Sequence, residues 1–242
     1  MIDTHCHLRN TEDIKIKGLE FAVLSASNLE DSKENVKLQM SNDKLKASVG
    51  VHPQELITNY ELLITNLEEL LSQNKEIVAV GECGLDFSAE NYDRHSQEIM
   101  FRAQICLALK YDKPLIIHSR KAMDETLEVL KSYKNLRGAI HCYSGGIKRI
   151  KKVLELPGEW FFGIDGNLTY EAGLQEVVKN IPKDRLVLET DSPELTPIPH
   201  RGEKNYPEYV KFIYQKVAEI WVMSLKETEE LIDGNAKRIF DI

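Results

Sequence analysis

The sequence predicts an α/β chain folded as a (β/α)8, or TIM, barrel, on three observations. Eight short apolar or β-branched runs alternate with longer amphipathic stretches across 242 residues. The runs are apolar nearly throughout, as in parallel strands covered on both faces. Polar residues of metal-ligating type gather at the carboxyl ends of the runs, where this fold carries its chemistry. A doubly wound open sheet is the structural rival.

The predicted strands are Ile2 to His7, Phe21 to Ser25, Ala47 to Val51, Ile77 to Glu82, Leu115 to His118, Gly138 to His141, Trp160 to Ile164 and Leu186 to Glu189. Helical periodicity falls on Asp31 to Met40, Glu61 to Asn74, His95 to Lys110, Lys121 to Tyr133, Ile147 to Leu156 and Leu174 to Asn180, with Tyr206 to Trp221 and Leu225 to Ile239 after the last strand. The pattern is clearest where Leu62, Leu63, Leu67, Leu70 and Leu71 recur between Glu61, Glu68 and Glu69. No linker, low-complexity tract or internal repeat interrupts the alternation, so residues 1–242 read as one domain.

Composition narrows the function. The chain is 42% hydrophobic and 29% charged, with a formal net charge of -8. A broad basic surface for gripping polyanions is therefore not expected, and a phosphate-bearing substrate would be held locally. No run is long enough to span a bilayer. His5 stands too near the start to leave room for a cleavable leader. Four cysteines do not make a disulfide scaffold, so reduced thiols and a cytoplasmic location are expected. Cys6, Cys83 and Cys142 adjoin His5, Glu82 and His141. Zinc ligation is one reading of these thiols, and the plainer one is that, if the runs are strands, they face outward under the helices as structural residues.

The candidate chemistry begins with His5 and His7, which point the same way on an extended strand and offer two imidazoles to one ion. Glu82, His118, His141 and Asp191 close or follow later runs. Four imidazoles and two carboxylates exceed one tetrahedral site and suit a pair of divalent ions sharing a bridge. Asp191 would hold the attacking water and accept its proton. Asp86 shares parity with Glu82 and would orient a ligand imidazole or a water. Glu189 lies deeper, as a salt-bridge or orienting partner. Arg120 and Arg201 are candidate phosphate clamps, with surface salt bridges as the plainer reading. Ser144 either leads free amides toward an anion or caps a helix. Trp160, Phe161 and Phe162 read as core rather than as a stacking platform, and residues 163–167 stand at the end of the seventh strand, where they can line the pocket without any residue that demands a role.

Seven ordered motifs give the chain a family resemblance: Asp3-Thr4-His5-Cys6-His7-Leu8, Gly50-Val51-His52-Pro53, Gly81-Glu82-Cys83-Gly84-Leu85-Asp86-Phe87, Lys113 through Arg120, His141-Cys142-Tyr143-Ser144-Gly145, Glu189-Thr190-Asp191-Ser192-Pro193 and Arg201 through Pro207. With them it resembles the TatD family of metal-dependent hydrolases, within the amidohydrolase-like superfamily. The resemblance implies a TIM barrel holding one or two ions of zinc, manganese or magnesium. His5, His7 and Asp191 would hold the first ion, Glu82 would bridge, and His118 and His141 would hold the second. It implies a deoxyribonuclease acting on single strands or 3′ ends, and His52 as a donor to substrate phosphate. The alternative is an ester or amide hydrolase acting on a small molecule or an aminoacyl-tRNA; a non-enzymatic scaffold fits the intact ligand set poorly. One departure stands out: Lys121 occupies a position that is often acidic in the family. The compact loops before His52 are another.

Overall fold

The computed structural model describes residues 1–8, 14–55 and 59–242. Eight parallel strands run in chain order, β1(Ile2–Cys6), β2(Phe21–Leu24), β3(Leu45–Val49), β4(Ala79–Asp86), β5(Leu115–Arg120), β6(Arg137–Ile140), β7(Glu159–Ile164) and β8(Leu186–Leu188), each paired with the next. Helices α1(Leu29–Ser41), α2(Tyr60–Gln73), α3(Arg94–Tyr111), α4(Met123–Lys131), α5(Ile147–Leu154) and α6(Ala172–Asn180) separate the strands from β2 onward. α7(Val210–Trp221) and α8(Leu225–Phe240) follow β8. The predicted TIM barrel is the fold observed.

The first and last strands are joined by hydrogen bonds: the Asp191 amide donates to the His5 carbonyl (2.9 Å) and the His7 amide to the Ser192 carbonyl (2.8 Å). Inside the amino-terminal half, Ile2, Phe21, Val23, Ala79, Ile116, Ala139, Phe161 and Val187 form one apolar layer. Ala236, Ile239 and Phe240 at the end of α8 belong to the same cluster, so α8 covers the amino-terminal mouth. The filled floor leaves the opposite face as the accessible opening. Trp160 and Phe162 face the outer layer with Cys6 and Cys83, and the aromatic run is core as expected.

Several strand bounds differ from expectation. β3 lies two residues earlier than predicted, and β4 continues past Glu82 to Asp86. Glu82 is therefore inside a strand, because Gly84, Leu85 and Asp86 still pair with His118, Ser119 and Arg120. The register of β4 against β5 shifts between Val80 and Cys83, and that of β1 against β2 between Asp3 and Cys6. An extra residue in a strand moves everything beyond it to the other face. Ile2 and Ala79 thus point inward into the floor, and His5 and Glu82, three residues further on, also point inward but at the opening.

Candidate metal centre

β1 brings His5 and His7 together, with their Nε2 atoms 3.1 Å apart. Glu82 Oε2 lies 3.4 Å from His5 Nε2 and 3.5 Å from His7 Nε2. Asp191 Oδ1 stands at the same two distances, 3.4 and 3.5 Å. A tetrahedron around an ion with bonds of about 2.0–2.1 Å has edges of about 3.3–3.4 Å. His5, His7 and Asp191 form one group of donors that could hold a divalent cation, and His5, Glu82 and His141 form another beside it. The other oxygen of Glu82, Oε1, faces His118 Nδ1 at 2.7 Å, His141 Nε2 at 3.0 Å and His52 Nε2 at 3.7 Å. One carboxylate thus presents an oxygen to each of two imidazole groups, the arrangement a bridging ligand requires.

Behind these atoms stand the groups that hold them. Asp86 Oδ2 is 3.1 Å from His118 Nε2, so His118 lies between two carboxylates. Glu189 Oε1 sits 3.3 Å from His141 Nδ1 and accepts the Cys142 amide at 2.5 Å. A Cβ at Gly163 would meet Glu189 Oε2 at 2.5 Å, so only glycine leaves that carboxylate its place. Such carboxylate partners fix the orientation of a ligating imidazole and raise its basicity.

Electrostatics follow from crowding charge into a dry space. Burial alone would raise the Glu82 carboxyl, but the imidazoles of His141, His118 and His5 outweigh it and hold it well below the usual carboxylate range. Asp191 is lowered in the same way, burial being overcome by a hydrogen bond from His7 and by the charges of His141 and His5. Burial depresses His7, yet its bonds to Asp191 and Glu82 win and carry it up to about 10. Burial, with neighbouring imidazoles, holds His52 down to about 4, against the pull of Glu82. His52 is therefore neutral at physiological pH. Its Nδ1 accepts the Gln54 amide, which leaves the proton on Nε2, facing the centre.

Two cavities open onto the cage and share His118, His141, Asp191 and Glu194. One, about 770 Å³, extends over β5 to β8 and includes Arg120 and Ser144. The other, about 800 Å³, extends over β1 to β3 and includes His52 with Asp31, Glu34 and Glu55.

The remaining sequence candidates distribute unevenly. Arg120 reaches the first cavity; Arg201 does not line either one and stacks on Tyr170, 4.0 Å from the ring centroid. Ser144 lines the cavity but caps nothing, since the N-cap of α5 is Gly146, without a side-chain bond. The thiols need one correction. Cys6 and Cys83 are buried in the outer layer as expected, their Sγ atoms on the carbonyls of Val23 and Ile116. Cys142 instead turns into the cavity, with Sγ 3.8 Å from Asp191 Oδ2. β6 ends at Ile140 and Cys142 has a φ of 41°, so strand alternation no longer governs it. Burial beside Asp165, Asp191 and Glu189 pushes its thiol well up, and it stays protonated.

Two supporting residues escaped the sequence reading, and a third was named without a role. Gln97 brackets Asp86, donating to its carbonyl and accepting its amide, both at 2.8 Å. Gln104, two turns along the same face of α3, does likewise for Val51. Their seven-residue spacing on a buried helical face was the available signal. Asp165, buried beside Glu189 and Asp191, is pushed up to about 6 by burial and those charges, against the pull of the Asn167 amide. It lines the cavity with Asn167, as the reading of residues 163–167 allowed, but nothing in the local sequence gave it a role.

A parallel eight-stranded barrel with a carboxylate-bridged imidazole cage at its carboxyl end defines a class of metal-dependent hydrolases. Residues 2–241 match the family described as TatD related DNase. An uncharacterized metal-dependent hydrolase, YabD of Bacillus subtilis, is 32% identical across the whole chain and 99% of its own length. A second such hydrolase, from Mycoplasma genitalium, is 33% identical over 98% of each chain. The crystal structure of YjjV, a TatD homologue of Escherichia coli, superposes with a TM-score of 0.92 at 26% identity, covering 100% of this chain and 98% of that one. The chain belongs to the TatD family of metal-dependent hydrolases.

Proposed function

We propose that the protein is a deoxyribonuclease, hydrolysing phosphodiester bonds in single-stranded DNA or at 3′ ends. The observation that carries this reading is the division of labour across one cage. Ionised carboxylates, Glu82 and Asp191, face four imidazoles, while a neutral His52 presents an N–H beside them. His5, His7 and Asp191 would hold one ion with Glu82, and Glu82, His118 and His141 would hold a second. When bound, these ions supply Lewis-acid charge that makes an attacking water acidic and offsets charge on the phosphoryl oxygens. The imidazole-rich donor set favours zinc or manganese over magnesium.

The side chains do the rest. Asp191 turns Oδ1 to His5 and His7, which leaves Oδ2, beside Cys142, to take the proton of the attacking water. His52 donates from Nε2 to a non-bridging phosphoryl oxygen, and Asp86 holds His118 in place. Arg120 pairs with a neighbouring phosphate.

End-labelled single-stranded DNA, incubated with the protein and each of magnesium, manganese and zinc, should release nucleotides. No release with any of the three overturns the reading. A second reading, ester or amide hydrolysis by the same centre, draws on Asp31, Glu34 and Glu55 in the cavity over β1 to β3, which favour a cationic amine over a phosphate. A panel of aminoacyl esters, amides and phosphodiesters under identical metal conditions separates the two. No helix among the described residues is long and apolar enough to cross a membrane. The four unpaired cysteines support a reducing, cytoplasmic setting.

A further inference from the structure

The overall charge of -8 conceals a sharp segregation. Residues 113–154, which contain β5, α4, β6 and α5, carry ten Lys and Arg against three Asp and Glu, a net +7. Residues 20–98, which contain β2 to β4 and the helices between them, carry six against fifteen, a net -9. Part of the basic group lies on the working face. Arg120 ends β5 at the rim of the first cavity, and exposed Lys121 follows it. Lys148 lies in the first turn of α5, just after Ser144 and Gly146 at that rim. That turn carries no acidic residue, and no side chain caps it.

The pairing within this sector is as telling as its charge. Asp124, at the start of α4, binds both Arg149 (2.5 Å) and Lys152 (3.0 Å). Arg120, Lys121 and Lys148 make no ion pair among the described residues, and Lys151 meets only Glu155, at 3.6 Å. Surface lysines of this kind are ordinary one at a time. Here several stand unneutralised beside a cavity that ends on a metal cage, while the cavity across the cage carries Asp31, Glu34 and Glu55. A polyanion is attracted to one side of the opening and repelled from the other.

Resting on the phosphodiesterase reading, we propose that the β5–α5 sector is the track for the sugar–phosphate backbone of a single strand, which approaches the cage from that side only. Lys121 and Lys148 are its outer phosphate contacts and Arg120 its inner one. The acidic wall over β1 to β3 is closed to the strand.

The test uses a fluorescent phosphorothioate strand of about 20 nucleotides and the metal-loaded protein, titrated at several salt concentrations. In the double variant Lys121→Gln/Lys148→Gln, loss of two phosphate contacts should lower the slope of log K against log salt by about 1.4 and weaken binding about tenfold at low salt. The control Lys226→Gln/Lys237→Gln removes equal charge from α8, which covers the opposite mouth, and should leave both quantities unchanged. Equal slopes in wild type and the Lys121/Lys148 variant, or equal losses in both doubles, overturn the track. Turnover of bis(p-nitrophenyl) phosphate is followed in parallel, because Lys121 and Lys148 line neither cavity. Cleavage of that small diester by a protein whose strand binding ignores Lys121 and Lys148 sinks the track and leaves the phosphodiesterase reading standing. Strand binding that depends on them, with neither substrate cleaved, does the reverse.

Discussion

Asp3 and Thr190, 187 residues apart, are bound twice: Asp3 Oδ1 accepts the Thr190 amide at 2.9 Å and Asp3 Oδ2 meets the Thr190 hydroxyl at 2.6 Å. Oδ1 also accepts the His5 amide at 3.2 Å. One fully buried side chain thus sets β1 against the segment carrying Asp191. Asp3→Ala leaves three buried donors without their acceptor, and each such loss costs about 1–3 kcal/mol. The variant should melt several degrees lower and retain less zinc than wild type by elemental analysis. Unchanged metal content would show that the cage does not need this tie.

Asp191→Asn keeps the shape of the side chain but removes its capacity to take a proton. The variant should fold normally by circular dichroism and lose about 10²–10⁴-fold in turnover, the range for a general base. A wild-type rate would relieve Asp191 of that role.

Glu82→Gln tests the shared ligand. In wild type, a metal binding only the folded state at about one hundred times its dissociation constant adds about 2.7 kcal/mol of stability. Chelation should remove that increment and zinc or manganese should restore it. In Glu82→Gln most of the increment should be missing, because the neutral amide presents no anionic oxygen to either group of imidazoles. Scanning calorimetry with and without metal reads it directly.

The raised proton affinity of His7 gives the metal-free protein a distinct pH profile. An unfolded histidine titrates near its ordinary value of about 6.5, whereas the folded His7 holds its proton up to about 10. Between these values the native state binds the extra proton, so its stability is full below the lower value and falls as pH rises through the upper one. Metal must displace that proton. The stabilisation on adding zinc should therefore grow from pH 6.5 toward pH 9, and a flat profile would count against proton competition at this side chain.

Much of the cage was legible because β-branched runs place their ends predictably: His5, His7, His118 and His141 all close or follow apolar strands. The continuation of β4 was not legible, since Gly84 and Asp86 are poor strand formers held extended by distant partners, β5 on one side and the Gln97 side chain on the other. Nor were the register shifts in β1 and β4, which depend on neighbouring strands rather than on local composition. Cys142 misled because alternation was extended past the end of β6 into a left-handed turn. The basic sector was hidden by averaging, its net +7 cancelled in the total by acidic residues on the other side of the barrel.

The offsets in β1 and β4 let a single strand answer two independent demands. Below each offset, the side chains keep step with the hydrophobic floor; above it, they keep step with the ligands. Residues an odd number apart, Ile2 with His5 and Ala79 with Glu82, thereby look into the same interior, one of each pair to fill it and the other to furnish it with ligands.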